Sequence, residues 1–276
     1  MSCDGCPSKG NCGKDESMCG VTTNPNSNIK KIIAIMSGKG GVGKSTMTVM
    51  IAKSMVKQGL KVGILDADIT GPSIPRLLNC QEEQAYATAE NEIIPVMKDG
   101  ISIMSLNFMV QNESDPVIWR GPIVANVVKQ FYTDVVWGEL DVLLIDMPPG
   151  TGDVALTIMQ SIPVQGVVMI STPQPMVSMI VTKAIKMCEA CNVRVLGIIE
   201  NMAYLECPNC KEKIEFYDTA ELFLMFEETQ SKLYGTLPMI DIIRDINKYD
   251  DYSKDQQSKM YAYIDEITKE IIQDVA

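Results

Sequence analysis

Gly38, Gly43, Lys44 and Ser45 satisfy the spacing G-x-x-x-x-G-K-[ST], with Lys39, Gly40, Gly41 and Val42 inside the loop and Thr46 after it. Glycines at these positions let successive backbone N–H groups point into one concavity. The N-terminus of the following helix adds its dipole, and the lysine adds a full positive charge, which together suit a chain of phosphates. The apolar run Ile32 to Met36 precedes the turn and reads as a buried parallel strand, so strand, loop and helix stand in the order this chemistry requires. The stretch is read as a nucleotide site.

Carboxylates follow at matching places. KVGILDAD delivers Asp66 and Asp68 at the end of one apolar strand, and DVLLID delivers Asp146 at the end of another. The carboxyl ends of parallel strands line the ligand crevice, where such groups position Mg²⁺ and an attacking water. A helix-capping role for Asp66 is the plainer alternative. Asp146 has the form of a Walker B residue for the Mg²⁺ shell. After it, MPPGTGD reads as a loop that senses the γ-phosphate, with Gly150 and Gly152 allowing close backbone approach and Pro148 and Pro149 restricting its conformations.

Thiols form the second chemical group. The chain has nine cysteines and no histidine, so any metal it holds is held by sulfur or oxygen. Cys207 and Cys210 sit in ECPNCKEK, which has the shape of half a zinc ribbon or cluster knuckle. Two thiolates are half a ligand set, and a two-fold symmetric dimer completes it with four sulfurs, suited to a [4Fe–4S] cluster or zinc. A reactive dithiol without metal is the alternative. Cys3, Cys6, Cys12 and Cys19, spaced C-x2-C-x5-C-x6-C, are dense enough to organise a tail around a cluster or zinc; an oxidation-prone disordered tail is the other reading. Cys188 and Cys191 share one face of a helix among Met187 and Ala190 and read as buried thiols.

The elements that position these groups follow from pattern. Residues 1 to 28 have no apolar periodicity and read as a Cys-rich tail; residues 29 to 276 read as one P-loop ATPase domain, with the CPNC loop at 204 to 214. Strands that are apolar throughout, GVVMIST and VRVLGIIEN among them, alternate with helices, which predicts an α/β fold with a doubly covered, mostly parallel sheet. A helix over 45 to 58 offers Val49, Ile51, Ala52 and Met55 to the sheet. A last helix from about Lys254 carries a stripe of Met260, Ile264, Ile267, Ile271 and Val275. Residues 81 to 100 read as a polar insertion with at most a short hairpin. WRGP (Trp119 to Pro122) precedes a helix expected through about Trp137, and another helix is expected near Thr219 to Lys232. The 19 methionines are scattered through apolar segments and read as core fillers. The balance of 24 basic against 35 acidic residues, net −11, opposes attraction to nucleic acid or anionic lipid. No run approaches a membrane span and no secretory leader opens the chain, so neither nucleic acid nor membrane is expected as a partner and a cytoplasmic location is.

With Lys39 added, KGGVGK resembles the deviant Walker A group of P-loop ATPases. Together with DADITGPS, WRGP, DMPPGTGD, STPQ, ENM and CPNC, it resembles the Mrp/ApbC iron-sulfur cluster carriers and the related Nbp-type scaffolds over residues 30 to 245. The resemblance implies a homodimer that holds a labile [4Fe–4S] cluster through Cys207 and Cys210 of both subunits, transfers it to apo iron-sulfur proteins, and is biased by ATP binding and slow hydrolysis. It also implies roles: Lys44 on the β- and γ-phosphates, Ser45 on Mg²⁺, Lys39 on the partner's nucleotide, Asp68 on the attacking water, Asn201 on adenine. CDGCPSKGNC resembles the scaffolds' N-terminal cluster motif but departs from it, since the fourth cysteine expected well upstream has no room before Cys3 and Cys19 is its candidate replacement. Two other readings share the loop. A MinD/ParA-type positioning ATPase would need a basic membrane helix or DNA surface, and a reductase like the nitrogenase iron protein would place a cysteine beside the loop after Walker B, where DMPPGTGD has none.

Overall fold

The computed structural model describes residues 22–69, 71–88, 92–109, 121–207, 209–217, 228–239 and 254–275. Its centre is a sheet of nine strands among the described residues. Along the path β10-β9-β8-β1-β7-β2-β6-β5, the core strands are β1 (Ser27–Ser37), β2 (Val62–Asp66), β6 (Ile101–Met104), β7 (Gly138–Asp146), β8 (Gly166–Ser171) and β9 (Val195–Glu206), and β11 (Leu233–Pro238) joins β9. The pairs β1·β7, β1·β8, β2·β7, β2·β6, β8·β9 and β9·β11 are parallel. Only the short strands β5 (Val96–Lys98) and β10 (Lys213–Glu215) run antiparallel to their neighbours.

Side chains alternate across each strand, and both faces are apolar, which is why these strands read as unbroken hydrophobic runs. Ile32, Ala34 and Met36 of β1 face one core, with Val128 and Phe131 of α3 (Gly121–Thr133), Ile158 of α4 (Asp153–Ser161) and Ala184 of α5 (Pro175–Ala190). Ile33 and Ile35 face the other, with Val49, Ile51, Ala52 and Met55 of α1 (Lys44–Lys57), Ile74 of the short α2 (Ile74–Leu77) and Ile264, Ile267 and Ile271 of the last helix, α6 (Lys254–Val275). Three buried isoleucines contribute about 5–9 kcal/mol of gross transfer energy to the docking of α6.

Local departures from the sequence reading have local causes. Helix α3 stops at Thr133 instead of Trp137, because β-branched Val135 bridges to Ile93 and Val136 N–H donates to Ile93 C=O at 2.8 Å. Residues 81–104 hold two hairpins. One is β3 (Tyr86–Ala87) with β4 (Ile93–Ile94); the other is β5 with β6, turning at Asp99-Gly100, both with positive φ. Asn24 and Asn26, inside the segment read as tail, already bond to Asp134 C=O and Glu92. Trp119, Arg120 and most of Thr219 to Lys232 lie outside the described residues.

Candidate functional site

Strand β1 ends at Ser37, the loop Gly38 to Gly43 turns, and α1 starts at Lys44. Gly43 has φ 84°, and a Cβ there would stand 2.5 Å from Asn201 Nδ2, so position 43 demands glycine twice over. The loop after β7 is tied to the same strand: Met147 N–H donates to Ile35 C=O at 3.0 Å and Gly150 N–H, at φ 83°, to Ser37 C=O at 2.8 Å. The two loops enclose a cleft of about 290 Å³ lined by Lys39, Gly41, Lys44, Ser45, Asp68 and Pro149, among others.

Behind Lys44 and Ser45 of this lining lies Asp146, fully buried. Lys44 Nζ is 2.9 Å from Asp146 Oδ2 and 3.9 Å from Asp68 Oδ2; the Ser45 hydroxyl donates to Oδ2 at 2.6 Å and the Thr48 hydroxyl to Oδ1 at 2.8 Å. Register places Asp66 opposite Asp146 on the adjacent strand. Asp66 is also buried, accepting from the Ser105 hydroxyl at 3.0 Å and from Asp68 N–H at 3.2 Å. Burial pushes its carboxyl up to about 8, the Asp146 charge pushes the same way, and Lys44 and Ser105 oppose. Burial and the facing Asp146 thus favour the neutral form of Asp66, which limits repulsion between two buried carboxyls.

Lys39 meets a different kind of partner. Its ammonium donates to the Gln174 side-chain oxygen of the same chain, at the start of α5. Asn201, fully buried on β9, donates from Nδ2 to Val42 C=O at 2.9 Å and accepts at Oδ1 from Met202 N–H at 3.0 Å. A carboxamide nitrogen has two N–H donors, so Asn201 can brace the loop and present its second N–H elsewhere. Thr48, Ser105 and Gln174 were not singled out from the sequence. Thr48 lies one helical turn beyond Lys44 and Ser105 just past β6, so periodicity and the strand-end rule were the available signals; Gln174 stood at the end of the STPQ motif with no role read for it.

The thiol site stands just past the carboxyl end of β9, beyond Asn201 on the same strand. Cys207 N–H donates to Glu212 C=O at 2.9 Å and Lys211 N–H to Cys207 C=O at 3.0 Å, closing a tight loop between β9 and β10 with Lys211 at φ 63°. Cys207 is half-buried and Cys210 exposed, both as free thiols. Backbone N–H groups of Cys210 and Asn209, the Cys210 thiol and the Lys211 charge hold the Cys207 thiol below its usual range. The core thiols go the opposite way: burial pushes Cys188, 3.9 Å from the Met159 sulfur, up to about 12 and Cys80 to about 11, as suits inert groups. Among the described residues no group of three or more Cys, Asp or Glu side chains converges as a metal site. Cys3, Cys6, Cys12 and Cys19 lie outside the described residues.

This arrangement has close relatives. The iron-sulfur cluster carrier protein of Clostridium perfringens is 44% identical over 252 residues, which is 86% of this chain and 88% of the relative. The iron-sulfur cluster transfer protein NUBPL of Dictyostelium discoideum is 45% identical over 190 residues, 68% of this chain and 58% of the relative. Among solved structures, the nucleotide-binding protein of Archaeoglobus fulgidus in complex with ADP superposes with a TM-score of 0.70 at 41% identity, covering 82% of this chain and 90% of that one. The Pyrococcus furiosus cell division ATPase MinD gives 0.60 at 19% identity, covering 88% and 99%, a likeness of fold alone. A family model described as NUBPL iron-transfer P-loop NTPase, under the ParA heading, matches residues 28–275, and the chain belongs to that family.

Proposed function

We propose that the chain is an ATP-binding and ATP-hydrolysing carrier that assembles an iron-sulfur cluster at a homodimer interface and passes it to apo-proteins, working in the cytoplasm without nucleic acid or membrane. One observation carries the reading. Strand β9 bears Asn201, bonded to the phosphate loop, and leads within a few residues into the Cys207–Cys210 loop, so the nucleotide site and the thiol site share a strand. The names of the relatives support the cargo, and the residues fit it: two reachable thiols, one of them held toward thiolate, are ligands for iron or, in its place, zinc.

The nucleotide half fits as well. Ser45 and Asp146 offer oxygen donors only 2.6 Å apart, a hard pair suited to Mg²⁺, which takes one or two protein oxygens and completes its shell with phosphate oxygens and water. Asp66 stands behind them. Mg²⁺ there would neutralise charge on the transferring phosphoryl group. Backbone N–H groups of Gly38 to Thr46 cradle the phosphates, and Lys44 turns from Asp146 and Asp68 to the β- and γ-oxygens. Asp68, so released, orients water; Asn201 reads adenine through its second N–H, and Lys39 leaves Gln174 for the nucleotide of the partner subunit. Hydrolysis is slow, and the difference in phosphate contacts biases the dimer between holding and releasing cargo. Any cluster at Cys3, Cys6, Cys12 and Cys19 is a second, separate store.

Anaerobic reconstitution with iron and sulfide tests this. Iron, acid-labile sulfide and mass are measured for the wild type and for Cys207→Ala/Cys210→Ala. The expected result is loss of one [4Fe–4S] cluster per two chains in the variant, with any residual iron belonging to the tail. Unchanged cluster content would remove the bridging site.

A further inference from the structure

The second lysine of the phosphate loop is held by a neutral group. Lys30, Lys44, Lys53, Lys57 and Lys232 each pair with a carboxylate, whereas among the described residues no carboxylate forms an ion pair with Lys39. Its ammonium donates to the Gln174 side-chain oxygen instead, and both side chains are half-buried. Gln174 is the N-cap of α5, where a short Ser, Thr, Asp or Asn side chain ordinarily closes on the first N–H groups of the helix. The Gln174 side chain makes no capping bond, so its carboxamide is directed at Lys39. The backbone around the contact is fixed. Ser37 Oγ donates to Lys39 C=O at 3.0 Å and Gly150 N–H to Ser37 C=O at 2.8 Å. A Cβ on Gly38 would meet Ile180 Cγ2 of α5 at 2.8 Å, so the phosphate loop lies directly on that helix.

We propose that Gln174 is a positioning residue, a latch that keeps Lys39 within its own chain until a second, nucleotide-loaded copy offers a stronger acceptor. The inference rests on the reading above, in which Lys39 reaches the partner's nucleotide, and adds what holds it back. Acceptor charge decides the balance. An ammonium is attracted to a neutral amide oxygen less strongly than to a charged one, and a phosphate chain carries several formal charges. The amide is therefore strong enough to give Lys39 one position and weak enough to yield to phosphate. A carboxylate in its place would compete with the phosphates on far closer terms. Because the latch must open before the chains can exchange lysines, its strength is subtracted from the affinity of the nucleotide-loaded pair. Gln174 thus sets how much nucleotide and protein are needed before two chains engage.

The test uses the full chain without reconstituted cluster, so that nucleotide alone drives pairing. Gln174→Met keeps the length of the side chain and removes the oxygen; Gln174→Glu keeps the shape and adds a charge that a helix N-terminus tolerates. Sedimentation equilibrium with Mg²⁺ and AMPPNP should give a dimer dissociation constant about threefold below wild type for the methionine variant and about tenfold above it for the glutamate variant. ATP hydrolysis at a protein concentration below saturation should rise in the first and fall in the second. The gap between glutamate variant and wild type should narrow as salt is raised, because an ion pair is screened and an amide contact is not. ADP affinity of the single chain, the control for folding, should stay within about twofold of wild type in both. The latch requires opposite signs, and any other pattern overturns it: two weakened variants would make the amide part of the paired state, and two unchanged ones would make the contact idle. Lys39→Ala separates the two claims. If it pairs on AMPPNP as tightly as wild type, the reading of Lys39 as a ligand of the partner's nucleotide fails whatever Gln174 does. If it fails to pair while the Gln174 variants match wild type, the latch alone falls. Lys39→Ala/Gln174→Glu should behave as Lys39→Ala, since the carboxylate then has nothing to hold. A wild type that stays single with AMPPNP overturns both.

Discussion

Asp146 sits buried behind the lining of the nucleotide cleft with a cation and two hydroxyls on its oxygens, and those neighbours should fail in different ways. Thr48→Ala leaves Oδ1 of a buried carboxylate short of one donor, at a cost of about 1–3 kcal/mol. Thr48→Ser keeps the hydroxyl and should recover most of it. Thermal denaturation of the three proteins checks the order wild type, serine, alanine; equal losses for both variants would mean that the methyl group, not the hydrogen bond, is what matters. Gly43→Ala acts on Asn201 instead, since the added Cβ meets Nδ2 at 2.5 Å. ADP affinity should drop at least tenfold in isothermal titration, and an unchanged affinity would show that Asn201 can move without harm. The sequence made the first kind of residue only half legible. Lys44, Ser45 and Asp146 are fixed by a motif and a strand end, but Thr48 and Ser105 matter because tertiary packing brings a second strand's carboxylate to them. The Gln174 contact of Lys39 depends on how the phosphate loop and the start of α5 meet in space, which no local pattern states.

At the scale of elements, helix α6 is what its apolar stripe announces. Ile264 and Ile271 are fully buried against the α1 side of the sheet, and truncating either to alanine should destabilise the fold by about 2–4 kcal/mol in urea titrations. Its far end is pinned by charge. Asp274 accepts from Tyr234 Oη at 2.7 Å and from Lys232 Nζ at 2.9 Å, and these bonds, Lys232 first, hold its carboxyl below the ordinary value of 3.8. A carboxylate so lowered adds stability above its unfolded pKa and loses it as pH falls through the folded one. Asp274→Asn should therefore cost on the order of 1 kcal/mol near neutrality, and the gap to wild type should close toward the acid end of a pH series of denaturation curves. A gap that does not change with pH would assign the effect to packing. The stripe could be read because α6 packs one face onto one core. The hairpins at 86–104 were harder: Asp99-Gly100 is a strong turn signal, but two- and three-residue strands leave too short an alternation to register among polar neighbours. The β9–β10 hairpin was legible as a thiol loop, but the burial of Tyr204 beside it depends on partners distant in the chain.

For the whole molecule, both hydrophobic cores are built on the same parallel strands, so nucleotide binding at the strand ends should stabilise the entire fold and not the cleft alone. At a ligand concentration 100 times the dissociation constant the gain is about 2.7 kcal/mol. For a domain of this size it corresponds to a rise in Tm of roughly 5–10 °C. Lys44→Ala should abolish the rise. It should also lower the starting Tm, because Asp146 keeps its burial and loses the cation 2.9 Å away. Ile271→Ala should lower the starting Tm as well, yet keep the full nucleotide increment, since it thins the core beneath α6 and touches nothing in the cleft. Scanning calorimetry of the three proteins with and without saturating ADP separates these cases. A single transition that shifts as a unit in the wild type and in Ile271→Ala, and stays fixed in Lys44→Ala, is what one cooperative sheet demands. Two transitions, of which ADP moves only one, would mean that the strands carrying the phosphate loop and the helix that covers them unfold apart, and then β9 could not carry a nucleotide signal to Cys207.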